Sequence, residues 1–234
     1  MGKRIIQQAR GHGSLSYRVR RRAYMYKPAY PIKLEQEYEV VSFVTEPGHS
    51  SPMAKLRARN GTIIYNFAAK GLYVGQKITF NGKNNGDISS LGNLENGTKI
   101  FNMELRPNDG GRLIKSSGSS AVVMNNPGNN QNVIVMMPSK QEKIFEPTIR
   151  VTIGEIAGQG RLEKPILKAG KMWFIKKPRN KLWPRTSAVK MNIIDHPFGS
   201  GRGKRPKSKI AKNNSPPGAK VGHLHPRRTG RTKK

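Results

Sequence analysis

Asp195-His196 is the pairing of residue types in this chain with the most catalytic potential, and Asp195 is the only acid after Glu163. The pair is followed by Pro-Phe-Gly-Ser-Gly, so a hydrolase would take Ser187 or Ser200 as its nucleophile. That chemistry needs a base held against the nucleophile and an acid that orients the base. Neighbouring side chains of an extended segment point to opposite faces, so Asp195 is not expected to orient His196. No nucleophile-elbow motif accompanies the pair. Metal chemistry is no better supplied. The five histidines, His12, His49, His196, His223 and His225, are scattered, and there is no cysteine to support them. We expect no metal site and no cofactor. Gly154–Gly160, read as GEIAGQG, has the spacing of neither a P-loop nor a dinucleotide fingerprint. Gly201–Lys204 resembles a P-loop in composition only.

What remains is the chemistry of phosphates and bases. Lys168–Arg185, KAGKMWFIKKPRNKLWPR, interleaves cations with Trp173, Phe174 and Trp183. Aromatic rings stack on unpaired bases while cations meet phosphates. Packing into a core is the commoner fate of such rings, and at least one of the three is expected there.

The charge balance favours a polyanion partner. The chain has 44 Lys plus Arg against 13 Asp plus Glu, a formal net charge of +31. A compact body with that excess repels itself unless a polyanion lies near. Nine basic residues and no acid lie in Met1–Lys33, and twelve basic residues and no acid lie in Gly199–Lys234. Twelve acids fall between Glu35 and Glu163. A balanced centre is thus flanked by two basic ends. The C-terminal stretch has no apolar period, and its Gly and Pro residues block long helices and strands. It reads as an arm that orders against RNA.

Those ends need a frame, and the centre supplies one. In Thr62–Phe67, alternation places Ile63, Tyr65 and Phe67 on one face. Lys99–Leu105 does the same for Phe101, Met103 and Leu105. In Ile149–Ile153, Ile149, Val151 and Ile153 point one way while Arg150 and Thr152 point the other. Val133–Met137 is apolar on both faces and predicts a central strand. Turns such as Asn60-Gly61, Asn81-Gly82 and Asp109-Gly110-Gly111 separate the strands, which suggests small antiparallel barrels. Asn81–Asn93 is the expected boundary between two of them. No sustained helical period is visible. Neither a signal-peptide core nor a membrane-length apolar run is present, so we expect a soluble intracellular protein with no membrane partner.

Ser187–Lys204, SAVKMNIIDHPFGSGRGK, resembles the universal large-subunit ribosomal protein two family, which shows an AMN…DHP…GGG pattern there. Trp183-Pro184 before it and Asn213–Gly222 after it also match, as do Arg10-Gly11, Gly13-Ser14, Arg18 and the turn Asp109-Gly110-Gly111. Phe198 looks like the archaeal and eukaryotic form, where bacterial members usually carry His. Ser200 stands in place of a glycine, and Lys190 in place of a small residue.

The resemblance implies a mainly β fold: an OB-like barrel, then an SH3-like barrel, with long basic irregular extensions at both termini. The expected division is a basic extension over 1–34, an OB-like RNA-binding domain over 35–89, an SH3-like barrel over 90–190, and a basic loop and tail over 191–234. It implies a structural constituent of the cytoplasmic ribosome. Its partners would be large-subunit ribosomal RNA, neighbouring ribosomal proteins and the small subunit. The residues expected to meet ribosomal RNA are Arg4, Arg10, Arg18, Arg20, Arg21, Arg22, Lys168, Lys171, Lys176, Trp183, Arg185, Asn192, His196, Arg202, Lys204, Arg205, Lys207, Lys220, Arg227, Arg228 and Arg231. By the motif match, Asp195 and His196 would lie near the peptidyl transferase centre. Peptide transfer itself belongs to RNA, so no catalytic residue is expected. The rival readings are an RNA-modifying or RNA-cleaving enzyme and a general polyanion binder.

Overall fold

A computed structural model of the chain describes residues 3–128, 131–201, 210–211, 214–216 and 218–224. It divides into two compact units, Arg21–Lys171 and a second made of Met1–Arg20 with Met172–Lys234. We call them the β unit and the terminal unit. The fold is mainly β, with an OB-like body followed by an SH3-like body.

The β unit holds two antiparallel sheets. The first contains β1 (Glu37–Val44), β2 (Met53–Ala58), β3 (Ile63–Phe67) and β4 (Lys77–Thr79), in the order β3-β2-β1-β4. The second contains β5 (Ile88–Ser90), β6 (Lys99–Phe101), β7 (Ala121–Asn125), β8 (Val133–Met136), β9 (Glu142–Phe145) and β10 (Arg150–Ile153), in the order β5-β10-β6-β7-β8-β9. The chain passes from one sheet to the other within the Asn/Gly/Ser-rich stretch. β8 is central, between β7 and β9, as its two apolar faces predict.

Each sheet buries its own apolar face. Tyr38, Val40, Leu56, Ile64 and Ile78 fill the first core, while Ile100, Met103, Val123, Val135, Ile149 and Val151 fill the second. A third cluster joins Met53 and Phe67 of the first sheet to Phe101 of the second, with Ala69 and Ile156. The two β bodies are therefore packed on a shared apolar junction rather than strung on a linker.

Three alternation readings need correction. On β3, Ile63 is 47% exposed, whereas Ile64 and Asn66 are buried with Phe67. The inner face belongs to the even positions, and Phe67 is buried in the junction cluster. β6 stops at Phe101 because Asn102 takes a left-handed φ of +44°, and Leu105 beyond it is 55% exposed. On β10, Arg150 and Thr152 do not face solvent but are buried.

The reason for the last is a buried polar cluster. Glu104 is fully buried and accepts five hydrogen bonds: from Arg150 Nη2 (2.5 Å), Nε (3.1 Å) and backbone N (2.9 Å), Gly110 N (2.9 Å) and Asn108 N (3.3 Å). Arg150 also donates to the carbonyls of Pro31 (2.5 Å) and Ile32 (3.4 Å), and its guanidinium lies 5.6 Å from the Tyr30 ring centre. The Tyr30 hydroxyl shares a 2.5 Å hydrogen bond with Thr152 Oγ1, which accepts from Asn66 Nδ2 at 2.9 Å. Burial pushes the Tyr30 phenol well above its usual range, so it remains neutral. Gly111 is required beside this cluster. A Cβ there would lie 2.8 Å from the Asn102 carbonyl oxygen, and φ is +91°.

The cluster also holds the segment before β1. Glu46 accepts from the backbone N of Met25 (2.5 Å) and Tyr26 (3.3 Å), and its other oxygen meets His49 Nδ1. Ala29 N donates to Tyr65 O at 3.2 Å, and Tyr30 N to Gly110 O at 3.0 Å. Residues 25–32 thus form an irregular strap that is pinned along its length.

The helices are few and short: α1 (Ile6–Gly11), α2 (Gly160–Glu163) and α3 (Ala169–Lys176). α3 falls in the aromatic-cationic segment, where no helical period was visible. It buries no residue, so no apolar stripe marks it in the sequence. The expectation of a core aromatic in Lys168–Arg185 also fails. Trp173 and Phe174 are exposed and Trp183 is half-buried.

Glu104→Gln should leave the Arg150 charge buried without a counterion. A loss of roughly 3–5 kcal/mol is expected for breaking such a pair. Chemical denaturation of the purified chain measures it, and a change below about 1 kcal/mol would refute the role given to the pair.

Candidate nucleic-acid interface

The terminal unit carries 23 basic residues and one acid, Asp195, whereas the β unit carries 21 basic residues and 12 acids. In the β unit, exposed cations meet carboxylates. Arg59 and Lys77 both reach Glu37 at 2.9 Å, Arg57 reaches Glu39 at 3.0 Å, and Lys83 reaches Glu95 at 2.6 Å. Glu37 is held below the usual carboxylate range, first by its hydrogen bond to Lys77.

The terminal unit has no such supply of carboxylates, and among its described residues several cations meet carbonyls and rings instead. Arg10 Nη2 donates to Asn180 O (3.3 Å) and stands 5.7 Å from the Tyr17 ring centre. Arg18 Nε donates to Gly13 O (3.1 Å), and Asn180 Nδ2 donates to Arg18 O (2.7 Å). Arg4 Nη1 contacts the His12 ring at Nε2. Lys177 Nζ lies 4.2 Å from the Trp173 ring centre. A carbonyl orients a cation without cancelling its charge.

The two chain ends build this unit together. Ile5 is buried ahead of α1. Lys3 N donates to Ile194 O at 3.1 Å, and Lys3 Nζ pairs with Asp195 at 2.6 Å. Gly218 N donates to Gln8 Oε1 at 2.8 Å. Ala211 and Val221 are buried with them.

The DHP segment is a folded loop. Asp195 N and His196 N both donate to Asn192 O, at 3.0 and 3.1 Å. Gly199 N donates to His196 O at 2.8 Å, and Ser200 N to Met191 O at 3.2 Å. A Cβ at Gly199 would lie 2.5 Å from two of these carbonyls, so only glycine fits. Ser200 follows with φ +80°, a left-handed conformation that favours the glycine for which it stands in. The Asp195 carboxylate turns to Lys3, not to His196. His196 Nδ1 accepts from Phe198 N at 3.0 Å, and its ring lies 5.1 Å from that of Phe198. Burial lowers its pKa from the ordinary 6.5, and the bond to Nδ1 places the neutral ring's proton on Nε2.

The sequence-predicted residues divide three ways. Arg4, Arg10, Arg18, Arg20, Lys176, Trp183, Arg185, Asn192, Asp195, His196 and Lys220 lie in the terminal unit, each exposed or half-buried. Arg21, Arg22, Lys168 and Lys171 lie exposed in the β unit. Arg202, Lys204, Arg205, Lys207, Arg227, Arg228 and Arg231 lie outside the described residues. Sequence reasoning passed over Lys3 and Asn180 as tethers, because nothing local links position 3 to 195 or position 10 to 180. Among the described residues, no group of three or more His, Asp or Glu gathers as a metal site would require.

Comparison with known proteins gives this cationic body a lineage. The family described as Ribosomal Proteins L2, C-terminal domain, matches residues 84–218. Large ribosomal subunit protein uL2 of Hyperthermus butylicus is 40% identical over 242 residues, covering 100% of both chains. The Korarchaeum cryptofilum uL2 is 36% identical, covering 100% of this chain and 98% of its own. That of Thermofilum pendens is 38% identical, covering 100% and 97%. Likeness along the whole length, DHP loop included, means that the chain belongs to the uL2 family of large ribosomal subunit proteins.

Proposed function

We propose that this chain binds large-subunit ribosomal RNA through its terminal unit and secures the RNA fold near the peptidyl transferase centre. Its family is one of structural ribosomal proteins, not enzymes, and the ribosome of the cytoplasm is its place of work. The observation that carries the RNA reading is the charge partition: 23 cations against one carboxylate in the terminal unit. Folded RNA crowds phosphates together, and Lys and Arg that displace counterions relieve that crowding.

In this reading the two β bodies of the β unit are the frame. Their apolar junction and the pinned strap fix where Arg21 and Arg22 emerge. Arg4, Arg10, Arg18, Arg185 and Lys220 meet phosphates, while Asn192 and the half-buried Trp183 meet sugar or base edges. His196 is a neutral hydrogen-bond donor through Nε2, suited to an RNA oxygen. Of the basic residues outside the described set, the seven expected to meet RNA extend the same contact. Neighbouring ribosomal proteins and the small subunit complete the partners.

Three measurements test this reading. Binding to a single-stranded ribosomal RNA fragment should weaken with salt; if about ten phosphates are neutralised, log K should fall against log salt with a slope of roughly −7. A slope near zero contradicts it. Deleting residues 199–234 removes twelve cations and the buried Ala211 and Val221, all from the terminal unit. The β unit should keep its unfolding transition while the protein disappears from the large-subunit peak of a sucrose gradient. Normal incorporation would defeat the proposal. Thirdly, His196 should titrate below the ordinary 6.5 by NMR. A histidine harder to protonate when folded contributes stability above its unfolded pKa and loses it as pH falls toward the folded value. A His196 titration at or above 6.5 would show that burial does not disfavour the protonated ring.

A further inference from the structure

The terminal unit also contains a groove of about 410 Å³, at the small end of the roughly 300–1,000 Å³ typical of ligand clefts. Its apolar lining includes Ile6, Leu182 and Met191, and its polar lining includes Arg185, Asp195 and His196. We propose that this groove takes a single unstacked nucleotide of ribosomal RNA, with its base against the apolar wall and its phosphate on Arg185. The inference rests on the RNA-binding reading and names one site within it.

The lining matches the chemistry of a nucleotide piece by piece. A base has flat apolar faces that pack on aliphatic side chains, and its edge carries donors and acceptors side by side. The groove offers both kinds of partner. His196 Nε2 is the donor, because Nδ1 is taken by the Phe198 N–H. Asp195 supplies a carboxylate acceptor, held in place by Lys3. A purely apolar ligand would leave these groups unpaired, and a cation would meet the repulsion of the unit's net positive charge. An anionic ligand with an apolar body and a polar edge satisfies all three features.

The walls come from both ends of the chain. Ile6 belongs to α1, which the Lys3 contacts to Ile194 and Asp195 hold against the DHP loop. The site is therefore complete only when the first residues pack on the loop.

The test uses the full-length chain with ¹³C-labelled histidine, the His196 resonance being assigned by its loss in His196→Asn. Adenosine, guanosine, cytidine and uridine 5′-monophosphates are titrated beside ribose 5-phosphate. The nucleotides should shift the His196 signal saturably, and ribose 5-phosphate should not. Ala188→Trp adds a ring to the groove lining without changing charge. It should abolish the shift and weaken binding of a short single-stranded RNA about tenfold, the order of one lost base contact. The salt slope should stay unchanged. If that variant loses its fold by circular dichroism, Arg185→Gln serves instead and should weaken the monophosphates while leaving the response to the four free nucleosides, titrated alongside, unaffected. Equal shifts from ribose 5-phosphate, no shift at all, or a full response in the substituted chain would overturn the groove. Each of those results with a steep salt slope leaves RNA binding standing, whereas a flat slope sinks the broader reading.

Discussion

The constraint from which the rest follows is a shortage of negative charge. A chain with 44 cations and 13 carboxylates cannot pair them all, and it does not spread the shortage evenly. Nearly all the carboxylates go to the β unit, where several pair with exposed Lys and Arg and one, Glu104, with a buried guanidinium. In the terminal unit, Arg10, Arg18 and Lys177 are held by carbonyl oxygens and aromatic faces instead. Their geometry is set while their charge stays available. One body is free to fold on its own hydrophobic cores, and the other is left attractive to phosphate.

Within the β unit, the buried Arg150–Glu104 pair does more than neutralise itself. Removing two charges from water is costly and is offset only when the remaining hydrogen-bonding capacity is filled. Here Glu104 accepts backbone N–H groups as well as the guanidinium, and Arg150 reaches the carbonyls of the strap. The same interaction closes the Asp109 turn, caps one face of β10 and fastens residues 31–32. An apolar substitute of equal volume would leave those backbone groups unmatched.

Much of this was legible in the residues themselves. Short strands, the turns between them, the central β8 and the basic ends all leave local marks: alternation, Gly/Asn pairs and charge runs. What escaped depends on distant partners. Arg150 reads as an outward residue because nothing nearby in sequence announces Glu104 or the strap. Leu105 reads as inward because one left-handed residue, Asn102, is enough to end the alternation. α3 is silent because it buries no residue, so no stripe marks it. In the interface, the DHP loop carries its own signature, whereas its tether Lys3 carries none.

The meeting of the two chain ends has a consequence for how the molecule is made. Arg10 and its partner Asn180 are 170 positions apart, and Gln8 and Gly218 are 210 apart. On a nascent chain, domains fold as their sequence becomes available, so the β unit can mature while α1 still lacks its partners. The most cationic part of the protein is thus assembled last, by a slow closure over long sequence distance. In the interval, the early basic residues are free to meet other polyanions, which makes shielding of the new N-terminal segment a demand that synthesis itself imposes.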